Sequence, residues 1–271
     1  QGETQAEIAE SLVQPPELAG QWFNRGYYGT YSHNSKAVYQ FYLGWYDAVP
    51  ANLNPHPPFE RARRMVAALG GAKKVIAQAK SAMAKGDYRW SSDLLNQLVF
   101  ADPGHGEARA LLADSYEQQG YQAESAIWRN QFLTAARELR VGYAPSGISS
   151  QSADMVAAVP TQLLFDTVAT RFDPARLASP VKINLVITDR KEELGIEAGP
   201  SVLIARQGLP ADAPAATLTG PRRLLLGLFF AGVPLEALQG AGLKVEGDPA
   251  AVKALLGAID PIKAGFNIAE P

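Results

Sequence analysis

Five residue pairs recur along this chain at a spacing of 34: Ala79 with Ala113, Gly86 with Gly120, Leu94 with Trp128, Leu98 with Phe132, and Ala101 with Ala135. That is the period of a two-helix repeat, each unit too small to bury its apolar face alone. The segments around the echo agree with it. Gly70-Gly71, Gly86, Asp102-Pro103-Gly104 and Gly120 punctuate stretches with apolar residues at helical spacing. Helices are expected at Arg61 to Leu69, Ala72 to Lys85, Tyr88 to Ala101, Gly106 to Gln119 and Tyr121 to Leu139. Barely more than one full repeat is present, which excludes a long solenoid. A stack this short leaves open faces that must be covered by another domain or subunit.

The helical stretch, residues 60–143, is therefore expected to be an all-α, tetratricopeptide-like domain. Two other blocks flank it. In residues 1–59, Thr4 and Glu7 have the spacing of a capping box, and a short amphipathic helix follows until Pro15-Pro16 stops it. Ser32 is the expected N-cap of a helix running to Tyr46, and Asn52 to Pro58 reads as an extended linker. After a loose linker, Pro145 to Ser150, residues 152–271 mix the two periods. Val159 to Arg171 reads as a helix. Val181, Ile183, Leu185 and Ile187 alternate along a half-buried strand, with further strands at Leu194 to Ala198, Val202 to Arg206, Ala215 to Thr219 and Leu243 to Glu246. Pro221 opens an apolar helix, Arg222 to Ala231, and Asp248-Pro249 caps a last one, Ala250 to Ile259. Strands mixed with helices in this way imply an α+β layer fold.

Composition narrows the function classes. The 271 residues carry 25 Lys plus Arg against 27 Asp plus Glu, a formal charge of −2. That argues against nucleic-acid binding by bulk charge. There is no cysteine, so a disulfide scaffold, a thiolate metal site and a cysteine nucleophile are excluded. Three histidines, His33, His56 and His105, are too few for a multi-histidine metal centre within the chain, so no metal ligand is assigned here. No apolar run reaches the ~18 residues of a membrane span. The chain opens on Gln1, shows no signal-peptide pattern, and is expected to lack residues that lie upstream.

The segment from Leu18 to Tyr46 contains no Asp or Glu but holds Arg25, His33, Lys36 and six of the ten tyrosines. Hydroxyls, cations and a helix N-terminus are what an anion site needs. At that N-terminus, His33 could donate to an anion or act as a general acid. The plainer reading, favoured by the residues alone, is a packed and satisfied imidazole. Tyr39, Tyr42 and Tyr46, at helical spacing, read as core. His56 and His105 read as surface residues, and Trp90 and Trp128 as packing residues of the helical block. Arg61, Arg63 and Arg64 read as a solvated helix face. The helix Leu224 to Phe230 is apolar nearly all round, so it is buried or it lines an apolar cavity.

At this point a family resemblance enters. Arg25-Gly26-Tyr27-Tyr28-Gly29-Thr30, Ser32-His33-Asn34, Lys36-Ala37-Val38-Tyr39-Gln40, Tyr42-Leu43-Gly44-Trp45-Tyr46 and Asn52-Leu53 closely resemble the type III alkyl sulfatases, zinc hydrolases with a metallo-β-lactamase-like catalytic domain. Gly86-Asp87-Tyr88-Arg89-Trp90, Val99-Phe100-Ala101-Asp102-Pro103 and Gly120-Tyr121-Gln122-Ala123-Glu124-Ser125 resemble that family's helical dimerisation domain. Leu164-Phe165-Asp166, Leu243 to Pro249 and Phe266-Asn267-Ile268 resemble its sterol-carrier-like C-terminal domain. The family's His-x-His-x-Asp-His zinc motif is absent.

The resemblance implies the following expectations. Residues 1–59 are the last part of a catalytic domain, 60–143 a dimerisation domain and 152–271 a sterol-carrier-like α+β domain. The parent enzyme hydrolyses alkyl sulfates such as dodecyl sulfate to alcohol and sulfate, using a binuclear zinc centre whose ligands lie outside this chain. His33 matches a histidine of the sulfate pocket, with Arg25, Tyr28 and Asn34 as substrate-binding neighbours. Leu224, Leu225, Leu228 and Phe229 line an apolar groove for the alkyl tail. The partners implied are a second copy in a homodimer, an alkyl sulfate or other amphiphile, and a missing N-terminal catalytic domain, in a periplasmic or secreted setting. The alternatives are a self-standing lipid carrier without catalytic activity and a purely structural oligomerisation module.

Overall fold

The computed structural model describes residues 2–143, 152–208, 210–262 and 265–271. The linker expected at Pro145 to Ser150 lies outside them. The chain divides into two compact units, one of residues 1–145 with 265–271 and the other of residues 146–264.

The first unit is helical. Its elements are α1 (Gln5–Ser11), α2 (Pro16–Ala19), α3 (Tyr31–Leu43), α4 (Pro50–Leu53), α5 (Pro58–Ala68), α6 (Ala72–Ala84), α7 (Tyr88–Ala101), α8 (Gly106–Gln122) and α9 (Ala126–Val141). The capping box forms: Thr4 N–H donates to Glu7 Oε2 at 2.8 Å while the Thr4 hydroxyl accepts from Glu7 N–H. The Thr4 N–H and the Thr4 hydroxyl, both able to donate to Glu7 Oε2, lower the Glu7 carboxyl from its ordinary value. Proline acts differently from expectation. α1 already ends at Ser11, and Pro16 opens α2, where its missing N–H is no loss. Pro50 and Pro58 open α4 and α5 in the same way, so the stretch expected as an extended linker is helical at its two ends and non-helical only from Asn54 to Pro57.

Helices α6 to α9 form the repeat seen in the sequence. α6 packs on α7, α7 on α8 and α8 on α9, with α5 also against α7. The echoed Ala79 and Ala113 are both fully buried, among Val75, Leu95, Leu98, Val99 and Leu112. Gly86 follows α6 with φ of +75°, a helix-ending conformation that favours glycine. Gly120 does not end a helix as expected. It is buried inside α8, and a Cβ there would lie 2.9 Å from Leu133 Cδ2 of α9. The glycine is needed for the close approach of two helices. α9 accordingly starts at Ala126 and not at Tyr121.

The second unit is α+β. Its elements are α10 (Ala153–Ala158), α11 (Thr161–Ala169), β1 (Val181–Ile187), β2 (Glu192–Ala198), β3 (Leu203–Gln207), β4 (Ala216–Gly220), α12 (Arg222–Phe229), α13 (Leu235–Gly240), β5 (Lys244–Gly247) and α14 (Pro249–Gly257). The five strands form one sheet in the order β3-β2-β1-β4-β5. Only the β1–β4 pair is parallel, with Leu185 opposite Leu218. The alternation read from the sequence holds, since Ile183, Leu185 and Ile187 are fully buried. They share a core with Phe165 and Val168 of α11, Leu225 and Leu228 of α12, and Val252 and Leu255 of α14. Burying each such side chain is worth roughly 1.5–3 kcal/mol. Two local expectations are corrected. The helix expected at Val159 to Arg171 is α11, which starts only after its N-cap Pro160 and ends at Ala169, with the separate short α10 before it, and Pro221 is the N-cap of α12 and not its first residue.

Candidate functional site

The loop that precedes α3 is shaped by Gly26, where a Cβ would lie 2.7 Å from Gly29 O. Three interactions fasten this loop to the start of α9. Ala126 N–H donates to Tyr27 O at 2.7 Å, the Ser125 hydroxyl donates to Tyr28 O at 2.8 Å, and Arg25 Nε meets Glu124 Oε1 at 2.5 Å. Thr30, not Ser32, is the N-cap of α3: its hydroxyl accepts the His33 N–H at 2.9 Å. His33 thus sits in the first turn, as expected, but one cap earlier in the chain defines that turn. α3 stops at Leu43 and not at Tyr46, because Gly44 takes φ of +82°.

His33 is exposed and has a partner that the local sequence does not reveal. The Trp128 indole Nε1–H donates to His33 Nδ1 at 3.1 Å. An indole nitrogen only donates, so His33 Nδ1 must accept and the neutral ring carries its proton on Nε2. Lys36 Nζ lies 5.9 Å from the Trp128 ring. Arg25, Tyr28 and Asn34 are brought together: all three line one concavity of about 440 Å³, with Phe23 and Tyr31. His33 is not among its lining residues. Arg25 also lines a neighbouring concavity of about 470 Å³ that includes Trp128 and Glu124.

The aromatic face of α3 is not core. No residue of α3 is buried. Phe41 is 82% exposed, Tyr42 76% and Leu43 67%, and Trp22, Phe23 and Trp45 are also open. Tyr39 and Tyr46 are half-buried. Trp90, expected to pack, is half-exposed. His56 is exposed as expected, while His105 is half-buried and caps α8 through Nδ1, which accepts Ala108 N–H at 3.3 Å.

In the α+β unit, Leu228 and Phe229 line a cavity of about 540 Å³ with Phe230, Val233, Leu256 and Ile259. Leu224 and Leu225 do not. They are 4% and 0% exposed and belong to the core under the sheet. Arg171, which sequence reasoning did not single out, also lines this cavity. Its guanidinium donates to Asp260 O and Phe229 O, both at 2.9 Å, and stacks 5.1 Å from the Phe230 ring centroid. Desolvation draws its pKa below the ordinary arginine value. Lys253 Nζ and Glu236 Oε1 pair at 2.5 Å, and both residues line the same cavity.

Among the described residues, no three His, Cys, Asp or Glu side chains converge as a metal-binding group. Nor is any helix long and apolar enough to cross a membrane.

Comparison with known proteins places these features in a family. A family model described as alkyl sulfatase dimerisation matches residues 4–142, and one described as alkyl sulfatase C-terminal matches residues 149–271. The chain is 40% identical over its whole length to an alkyl/aryl-sulfatase of Saccharomyces cerevisiae, covering 42% of that protein. It is also 40% identical to an (R)-specific secondary-alkylsulfatase of a Pseudomonas species, covering 41% of it. The solved structure of a stereoselective inverting sec-alkylsulfatase from Pseudomonas matches the whole chain with a TM-score of 0.90 at 39% identity, over 43% of that protein. The chain thus spans about two fifths of the length of the relatives it matches. It belongs to the alkyl sulfatase family and is similar to the C-terminal part of that family's members.

Proposed function

We propose that the chain supplies the dimerising, amphiphile-holding C-terminal part of an enzyme that hydrolyses alkyl sulfate esters to alcohol and sulfate. The single observation that carries this reading is the α+β cavity, in which apolar side chains from α12 to Ile259 meet the Arg171 guanidinium. An apolar tail needs the first, and an anionic head is attracted by the second. The helical unit carries the dimerisation role that its family model describes, and a homodimer is part of the proposal. A periplasmic or secreted setting belongs to the same reading.

The loop at Arg25 to Asn34 serves, in this proposal, as one wall of the sulfate pocket. Trp128 occupies Nδ1 of His33, so the imidazole offers a neutral Nε2–H donor to a sulfate oxygen. Arg25 is held by Glu124 and adds positive charge beside Tyr28 and Asn34. The exposed aromatic face of α3 fits cover by the part that the longer relatives carry in addition. The residues of this chain do not fit the family's binuclear zinc, since no donor set converges among those described. That centre would be held outside the chain, and none of the roles above depends on it.

Tail length tests the amphiphile site. Burial of one CH₂ is worth ~0.8 kcal/mol, so shortening a sulfate ester from dodecyl to octyl should weaken binding roughly two-hundredfold when the tail is buried. Titrations below the critical micelle concentration measure this directly. Equal affinity for both chain lengths would overturn the reading.

A further inference from the structure

We propose that residues 265–271 are a peptide latch of the helical unit, although they follow the α+β unit in sequence. The family model for the C-terminal region runs through residue 271, yet these last residues fold with residues 1–145. The acceptor is built from α8 and α9. Glu138 is only 5% exposed, an unusual place for a carboxylate. Its oxygens accept the Ile268 N–H at 2.9 Å and the Ala269 N–H at 2.8 Å. Arg109 pairs with the Glu270 carboxylate and is itself positioned by Leu139 O at 3.0 Å and Pro103 O at 3.1 Å. Ala269 is 2% exposed and enters the helical core with Leu139 and Ala136.

These contacts define what the acceptor recognises. It takes two consecutive backbone N–H groups, a small side chain, and then a carboxylate. The chain's own Ile268-Ala269-Glu270 supplies that order. A buried carboxylate stripped of donors is strongly unfavourable, so the latch stabilises the helical unit and not the sheet. The chain that leaves the helical unit after α9 therefore returns to it, and the α+β unit is tethered at both of its ends.

All four tryptophans, Trp22, Trp45, Trp90 and Trp128, lie in the helical unit, so fluorescence-detected unfolding reads that unit alone. Removing residues 265–271 should lower the tryptophan-detected Tm by about 5 °C or more. Adding the seven-residue peptide Gly-Phe-Asn-Ile-Ala-Glu-Pro in excess should restore it. The restoring effect should vanish in Glu138→Leu, which has no acceptor for the two N–H groups that Glu138 Oε1 takes. An unchanged tryptophan midpoint on truncation, or restoration that survives Glu138→Leu, would overturn the proposal. Should the truncated chain fail to fold, amide exchange in the full chain decides. Ile268 and Ala269 should exchange at least tenfold faster in Glu138→Leu, and unchanged exchange overturns the latch. Mixing the truncated chain with full-length Glu138→Leu, at concentrations too low for the free peptide to act, asks which copy supplies the tail. Restored stability there would assign the tail to a second copy and overturn docking within one chain.

Discussion

The indole nitrogen of Trp128 donates to Nδ1 of His33 across 3.1 Å, joining two residues 95 positions apart. One bond settles which imidazole nitrogen holds the proton. Replacing Trp128 with Phe keeps an aromatic ring and deletes the donor. The stability loss should be small, about 1 kcal/mol or less, because the bond is exposed. The tautomer should respond more. Nitrogen chemical shifts of His33 at pH 8 should report Nε2–H alone in the wild type and a mixture of both tautomers in Trp128→Phe. Identical shifts in the two proteins would show that Trp128 does not orient the ring.

Gly120 and Gly106 lie in the same helix and should respond to alanine with opposite signs. At Gly120 the new Cβ would meet Leu133 Cδ2 at 2.9 Å and Cγ at 3.0 Å. Overpacking of this kind costs about 1–3 kcal/mol, which outweighs the ~1 kcal/mol that alanine brings to a helix. At Gly106 nothing lies within 4 Å, so Gly106→Ala should leave stability equal or higher. Urea unfolding followed by tryptophan fluorescence measures both. A stabilised Gly120→Ala would mean that α9 yields freely.

Tyr116 makes the helical unit sensitive to alkali. Burial pushes its phenol up to about 12, with the Asp93 charge adding in the same direction. The folded value lies above the ordinary tyrosine value near 10. Stability from the neutral phenol is therefore full below pH 10 and is lost as pH rises from 10 through 12. The loss amounts to roughly 2–3 kcal/mol. Tyr116→Phe should remove that part of the slope when unfolding free energies are compared at pH 9 and pH 11.

What the sequence disclosed follows from how local each cause is. Both ends of α7 were legible because Gly86, at φ of +75°, closes the helix before it and Asp102-Pro103-Gly104 stops it. β1 was legible because its alternation needs no other part of the chain. Gly120 was misread because a glycine inside a helix and one ending it look alike; only Leu133, from the next helix, distinguishes them. α13, six residues long, is too short to show a period. Arg25, Tyr28 and Asn34 line one concavity because one short run of sequence holds them. Trp128 was assigned to packing, and no local pattern links it to His33. The tyrosines of α3 were expected in a core, which periodicity suggests but only a covering partner can provide.

The most direct test of the central claim is hydrolysis of dodecyl sulfate by the purified chain, with zinc added and with a chelator. The account predicts no turnover above the blank in either condition, alongside binding of the dodecyl ester. Chelator-sensitive turnover would contradict it, because residues of this chain would then be holding a catalytic metal.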